Sequence, residues 1–320
     1  MRACSDRTCA VTSERHLSPA SLRTREGLIA ALIAYTFWGF LQIYFKLVET
    51  VPASEVLAHR ILWAVPFGLP IVLVRRQWPE VVQALRTRRT LGLLALSAVL
   101  IAVNWLAYIW AVQNELIFQA SLGYYINPLM WVLVGVLFFG ERLRRMQTGA
   151  VLLAGAGVAV LTISGREFPL IALTLATTFT IYGTIRSRVV IGGMPGLFIE
   201  TLVLLPAAAA YLLWIASRDV AVFVSGDWSM AGMLMLAGPV TVLPLLCFAL
   251  AARRLRLSTI GFMQFLAPTL QFLIGLAYGE VLTGPHIVCF TLIWTAVTVF
   301  SWDAWRQSRT GEAVAAAARS

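Results

Sequence analysis

Ser121-Leu122-Gly123-Tyr124-Tyr125-Ile126-Asn127-Pro128-Leu129 opens an apolar run that closes on Phe139-Gly140-Glu141-Arg142. A second copy starts at Thr259-Ile260-Gly261-Phe262-Met263-Gln264 and runs through Pro268 to Tyr278-Gly279-Glu280. Pro128 and Pro268 stand 140 residues apart, and Glu141 and Glu280 stand 139 apart. Each copy reads as one apolar helix interrupted by a proline, with Gly-Glu at its exit. Proline-interrupted hydrophobic segments at matching positions of two halves are a mark of secondary transporters.

The repeat extends outward. Trp105 to Ala111 aligns with Leu245 to Ala251, and Phe37-Trp38-Gly39 resembles Ile181-Tyr182-Gly183. His59-Arg60 followed by Pro66 aligns with Glu200-Thr201 followed by Pro206, which sets His59 opposite Glu200. Ten segments are long enough to cross a hydrocarbon core, which takes about 20 residues each. They are 28–47, 55–74, 91–112, 120–139 and 146–163, then 168–185, 196–216, 229–252, 259–278 and 284–302. The expected fold is all-α, with ten transmembrane helices as two inverted five-helix repeats. An odd number of helices per half forces the halves into opposite orientations. The organisation expected is a disordered cytoplasmic leader over 1–25, repeats over 26–163 and 164–305, and a cytoplasmic tail over 306–320.

Composition agrees. The chain is 59% hydrophobic and 12% charged, against roughly 25% charged for a soluble domain. All but one of its 25 basic residues are arginine. Arg23 and Arg25, Arg75 to Arg89, Arg142 to Arg145, Arg186 and Arg188, Arg253 to Arg256, and Arg306 and Arg309 fall in alternate loops. The opposite set holds Arg166 and Arg218, with Lys46 at its membrane edge. The positive-inside bias therefore puts both termini in the cytoplasm. A net charge of +10 confined to short loops is a topology signal, not a nucleic-acid face. Cys247 and Cys289 lie in apolar runs, while Cys4 and Cys9 lie in the leader. They make no disulfide framework, and with His16 they fall short of a metal site. The leader has no apolar core of the kind a signal peptide needs.

Several polar groups lie inside the apolar segments. A charge at a helix centre costs roughly 2.5–3.5 kcal/mol on insertion scales, so each needs a reason. Lys46 either snorkels to the headgroups or lines a cavity mouth with Tyr35, Trp38 and Gln42, which share its helical face. His59 and Arg60 lie about one and a half turns into the second segment. His59 either pairs with Glu55 one turn earlier or relays protons. Asn104 and Tyr108 share one face, as do Tyr124 and Asn127, and Gln264 and Gln271. These either make interhelical hydrogen bonds or bind solute. Asn127 also precedes Pro128, whose missing donor leaves a carbonyl unpaired. Glu200 either couples protons or holds a cationic solute group, or it neutralises Arg186 or Arg188. Glu141 and Glu280, at helix exits, read as structural. Gly149, Gly155 and Gly157 read as small faces for close helix contact and not as a nucleotide loop.

Taken as a set, several motifs resemble the RarD family, in the EamA branch of the drug/metabolite transporters. They are Tyr44-Phe45-Lys46, Ala58-His59-Arg60, Asn104-Trp105 through Val112, Ala120 to Pro128, Gly140-Glu141-Arg142, and Leu257 to Gly261 closing at Gly279-Glu280. The resemblance covers about residues 25–305. It implies ten transmembrane helices, an inner-membrane location and movement of a small solute. Members are often labelled chloramphenicol-sensitive protein, which is a label and not a substrate. Ser54 stands before Glu55 where the family tends to carry an acidic residue.

The expectation is a secondary transporter of a small organic solute, an exporter working by alternating access. The alternatives are an importer or facilitator, or a scaffold or receptor that transports nothing. Pro128 and Pro268 are expected to break helices around the pathway. The partners implied are a small-molecule solute, membrane lipid, protons if transport is coupled, and a second copy if the chain forms a homo-oligomer. No ATP motif, cofactor, metal site or enzymatic centre is expected.

Overall fold

A computed structural model of the chain describes residues 19–139, 145–164, 168–224, 227–255, 259–260 and 263–317. Residues Gly140-Glu141-Arg142, Arg166, Ser258 and Gly261 lie outside the described residues, as does the leader up to residue 18. Eleven α-helices are described, with no strand among the described residues. They are α1 (Pro19–Leu47), α2 (Ala53–Val74), α3 (Trp78–Arg86), α4 (Arg88–Gln113), α5 (Ile117–Phe139) and α6 (Arg145–Ser164). The remainder are α7 (Leu170–Arg188), α8 (Gly193–Ala216), α9 (Trp228–Ala252), α10 (Leu266–Ala277) and α11 (Gly284–Ala317).

Seven of the described helices are long and apolar enough to cross a membrane: α1 from Thr24, α2, α4, α6, α8, α9 and α11 up to Asp303. The other expected spans coincide with α5, α7 and the 12-residue α10. The outer surface of the long apolar helices is itself apolar. Leu152, Ile163 and Leu213 are all more than half exposed, an arrangement that suits lipid and would be costly in water. The protein is thus an all-α, multi-pass membrane protein.

Four local features depart from the sequence reading. First, α1 starts at Pro19, inside the stretch expected to be a disordered leader; proline is well suited to the first helical position. Second, α11 continues to Ala317, through the expected tail. That stretch is rich in alanine and has no proline, so nothing in it stops the helix. Third, α3 is an extra amphipathic helix of nine residues, too short to span. It buries Val81 and Ala84 on one face. Fourth, the expected segment 259–278 is broken. Gln264 and Phe265 form a turn, and the helix restarts at Leu266 with Pro268 in its first turn. Proline has no N–H to donate to the carbonyl four residues back, and a first turn needs none. Pro128, by contrast, sits inside the continuous α5.

Packing repeats across the chain. Helix α1 packs on α9 and α10, as α7 packs on α4 and α5. Helices α2 and α8 pack on each other, as do α5 and α10, and α6 and α11. Helices α1 and α10 run parallel: Trp38 meets Gln271, and Lys46 meets Tyr278. Helices α5 and α7 also run parallel, since Gly123 meets Ala172 and Gly183 meets Trp131. A Cβ on Gly39 would strike Leu270 of α10, and one on Gly183 would strike Trp131 of α5. Small residues let these backbones approach closely. Gly157 likewise faces the carbonyl of Cys289 on α11, while Gly149 and Gly155 face open space.

The crossing of α2 and α8 fixes the register between them. Ser54 bonds Tyr211 at one end, and Ile71 packs with Met194 at the other. Between these, Ala58 clusters with Ala208, and Gly68 faces Phe198. Each contact maps onto its mate by a shift of 140 residues. The same shift relates the helix starts, Ala53 and Gly193, and the inner prolines, Pro66 and Pro206. At that shift Glu200 lies opposite Arg60, not His59. The offset of 141 read from the sequence is one residue out, which is about 100° around a helix.

Candidate functional site

The two buried charges related by that shift occupy different surroundings. Arg60, on α2, is 5% exposed. Its Nε donates to Thr241 Oγ1 of α9 at 2.8 Å. Its guanidinium lies over the ring of Trp105, 4.1 Å from the centroid, and 5.8 Å from that of Phe45. This cation–π contact is the kind that desolvation strengthens. Its Nη1 has no hydrogen-bond partner.

Helices α4 and α5 bring the remaining groups. The Tyr108 ring packs between those of Phe45 and Tyr124, 5.8 Å from each. Its hydroxyl is buried with no partner. Asn104 Nδ2 donates to the Leu175 carbonyl at 3.0 Å and to Thr178 Oγ1 at 2.9 Å, both on α7. Asn104 Oδ1 faces the Tyr124 hydroxyl at 3.4 Å. Asn127, one turn beyond Tyr124, is buried with an unpartnered Oδ1. Of the residues singled out from the sequence, Arg60, Asn104, Tyr108 and Tyr124 therefore belong to one buried cluster. It draws on α1, α2, α4 and α5 on one side and α7 and α9 on the other.

Glu200, on α8, is fully buried. It accepts from Ser97 Oγ of α4 at 2.6 Å and from the Tyr182 hydroxyl of α7 at 3.3 Å. Arg186 Nε stands 3.5 Å away. The rings of Tyr124, Phe179 and Tyr182 follow one another at 6.2 Å and 6.0 Å. An aromatic file therefore runs from the Arg60 cluster to Glu200.

The other expected residues lie elsewhere. His59 turns away from Arg60, its ring 4.8 Å from Phe223 and its Nε2 4.0 Å from Glu55. That separation is too long for a hydrogen bond. Glu55 is occupied with the backbone N–H groups of Val222 and Phe223, at 2.9 Å and 3.4 Å. Gln42 and Gln271 make reciprocal bonds across α1 and α10: Gln42 to the Gln271 carbonyl, and Gln271 to the Trp38 carbonyl. Trp38 packs on Tyr35 and Phe248. Gln264 falls in the turn before α10, so it no longer shares a helical face with Gln271. Lys46 pairs with Glu49 at 3.0 Å over the Tyr278 ring, at the end of α1. A groove of about 810 Å³ lies elsewhere again, lined by Tyr125, Thr269, Trp294 and Trp302. No charged side chain lines it.

Thr241, Trp105, Ser97 and Tyr182 were not chosen from the sequence. Thr241 and Ser97 are lone hydroxyls in apolar runs. Trp105 and Tyr182 carried a usable signal, since both stand in stretches that the repeat aligns.

The EamA-like transporter family model matches residues 25–163. Over 88% of its length the chain is 47% identical to Protein RarD of Salmonella typhimurium, covering 96% of that protein. It is 43% identical over 90% of its length to an uncharacterized transporter of Vibrio cholerae, covering 95% of it. A solved crystal structure superposes with a TM-score of 0.54 at 20% identity, over 86% of this chain and 97% of that one. That likeness concerns the fold alone.

Proposed function

Since the chain belongs to the RarD family of EamA-like transporters and is a membrane transporter of the bacterial inner membrane, we propose that it is a secondary exporter of a small organic solute. It works by alternating access between two inverted halves, 26–163 and 164–305, of five spanning helices each, with both termini in the cytoplasm. The buried cluster around Arg60 carries this reading. A charge is buried where α2, α4 and α5 of one half meet α7 and α9 of the other, among aromatic rings and amides. Rocking one half against the other changes which side reaches it. The matched packing of α1 with α9 and α10, and of α7 with α4 and α5, supports the two-half arrangement.

Protons are the proposed coupling ion, and Glu200 is the proposed titrating group. Its charged form is held by Ser97, Tyr182 and Arg186. A proton bound there would loosen Arg186. The test is proton flux in proteoliposomes holding the full chain, screened over small aromatic and amino-acid-like solutes. Lumenal pH should change only when a carried solute is added. Vesicles in which no solute moves, with or without a pH gradient, would overturn the proposal. The topology has a separate test. Single cysteines at Thr87 and Ser217, with native cysteines removed, should label oppositely with an impermeant thiol reagent on intact cells. Equal labelling from outside would sink the ten-span arrangement.

A further inference from the structure

We propose that the solute carries a carboxylate beside a flat aromatic group, and that Arg60 and Tyr108 receive the carboxylate. The inference rests on the transport reading above and narrows its solute class.

Arg60 is buried, and no acidic side chain lies within ion-pair distance of it among the described residues. Of the described acidic side chains that are buried, Asp303 lies near the end of the last span, on α11, and the other two are committed elsewhere. Glu55 accepts backbone N–H groups of Val222 and Phe223, and Glu200 is held by Ser97, Tyr182 and Arg186. A buried cation without an anion is costly, and ionisable groups within membrane spans mark substrate paths. Arginine stays charged in proteins, so losing its proton gives no relief.

Geometry then selects the anion. Thr241 fixes the guanidinium through Nε, and Trp105 covers one face. Nη1 remains as a buried donor without a partner. Tyr108, which shares the Phe45 ring with Arg60, adds a second buried donor without a partner. Two unpartnered donors, one of them on a guanidinium, suit the paired oxygens of a carboxylate. The rings of Trp105, Tyr108 and Tyr124 offer stacking surfaces for an aromatic body. An amine-bearing solute would meet Arg60 as a like charge.

The test uses the purified full-length chain in detergent and three probes of one shape: 3-phenylpropionate, 3-phenylpropan-1-ol and 3-phenylpropan-1-amine. Binding is read by tryptophan fluorescence and calorimetry, with sodium chloride as a fourth arm. Only 3-phenylpropionate should bind saturably. Tyr108→Phe and Thr241→Val should each weaken it. Arg60→Gln should weaken it about 10-fold or more, the loss expected of a hydrogen bond to a charged group. Arg60→Lys should keep part of the affinity. The variants should keep wild-type circular dichroism and gel-filtration profiles. If Arg60→Gln does not fold, Tyr108→Phe and Thr241→Val decide. Equal binding of the amine or the alcohol, an equal effect of chloride, no binding of any probe, or unchanged affinity in the variants would overturn the proposal. Failure of the two readings can be told apart. A probe held through Arg60 but not carried into proteoliposomes leaves the site and sinks the transport reading. A probe carried at full rate by Arg60→Gln does the reverse.

Discussion

Arg60 and Glu200 stand 140 residues apart at matching positions on α2 and α8, and they carry opposite charges. The carboxylate is satisfied within the protein, by a hydroxyl, a phenol and a guanidinium. The guanidinium has one hydrogen bond and aromatic surfaces, and a donor to spare. One half of a symmetric scaffold has closed its charge, and the other has left its charge open. In these terms Glu200 serves first to hold α4, α7 and α8 together, and Arg60 is free to serve a ligand.

The largest expected effect follows from that contrast. Glu200→Gln removes the anion facing Arg186, and breaking a buried pair from one side costs about 3–5 kcal/mol. Arg60→Gln removes a charge that no acid balances, so it should cost little stability while abolishing transport. Denaturation in detergent should show the first variant much weakened and the second close to wild type. The double variant Glu200→Gln with Arg186→Gln should regain most of the loss, because no charge is then stranded. Proton-gradient-driven transport in that double variant also decides the coupling proposal. If it persists undiminished, Glu200 is a structural group only. Equal destabilisation by Arg60→Gln and Glu200→Gln would erase the contrast.

A middling effect tests the symmetry itself. Gly39→Ala on α1 and Gly183→Ala on α7 place a methyl against Leu270 and Trp131, at equivalent crossings. Overpacking of this kind typically costs about 1–3 kcal/mol. Both should fall in that range, while Gly149→Ala, facing open space, should be near neutral. A large loss at one crossing and none at the other would show that the two halves do not pack alike.

The pairing of Arg60 with Glu200 also shows where sequence reading stops. Apolar runs of membrane length stand out from loops rich in arginine, so most of the helices were legible to within a few residues, while the outer ends of α1 and α11 and the break before α10 were not. Leu170–Arg188 and Gly193–Ala216 lie close to the segments read as 168–185 and 196–216. The cluster was half legible, because Arg60, Asn104, Tyr108 and Tyr124 are polar groups that an apolar helix does not carry without cause. The register was not legible from the charged residues. Setting His59-Arg60 on Glu200-Thr201 needs an offset of 141, while Pro66 and Pro206 stand 140 apart, and the contacts of Ser54 with Tyr211 and Gly68 with Phe198 agree with the prolines. Nor was Thr241, whose hydroxyl bonds the Ala237 carbonyl in its own helix and looks ordinary until Arg60 is placed beside it.

A smaller difference is expected between the repeated prolines. Pro128 lies inside α5, and its replacement by alanine restores an N–H for the carbonyl of Tyr124 and relaxes a bend. Pro268 lies in the first turn of α10, where a proline is tolerated. Pro128→Ala should therefore slow transport several-fold, by the order of a kcal/mol in barrier, and Pro268→Ala should change it little. Equal impairment by both would mean that the turn at Gln264 and Phe265 depends on Pro268.

The smallest effect concerns a carboxylate held by amides instead of arginine. Glu280 follows α10 and accepts the Phe118 N–H at 2.9 Å, at the start of α5. A carboxylate there also meets the positive end of the helix dipole. Burial nevertheless pushes the Glu280 carboxyl up to about 7 from an ordinary 4.5, with Glu115 adding to the rise and the Phe118 and Ile117 amides and Lys46 opposing it. The folded state thus binds this proton more tightly than the unfolded chain does. The contribution of this group to stability is then largest below about 4.5, is lost as pH rises through about 7, and is flat above. The melting temperature in detergent should fall over that window by a degree or so at most, since Glu280 is partly exposed and solvent screens it. Glu280→Gln cannot titrate and keeps an acceptor for the Phe118 amide, so its melting temperature should fall less across the window. A fall of the same size in Glu280→Gln would assign the pH dependence to another group. A flattened curve would separate two kinds of buried carboxylate in one bundle. Glu200 is bound by a hydroxyl, a phenol and the Arg186 guanidinium, whereas Glu280 gives its charge up near neutral pH because burial outweighs the backbone amides and Lys46.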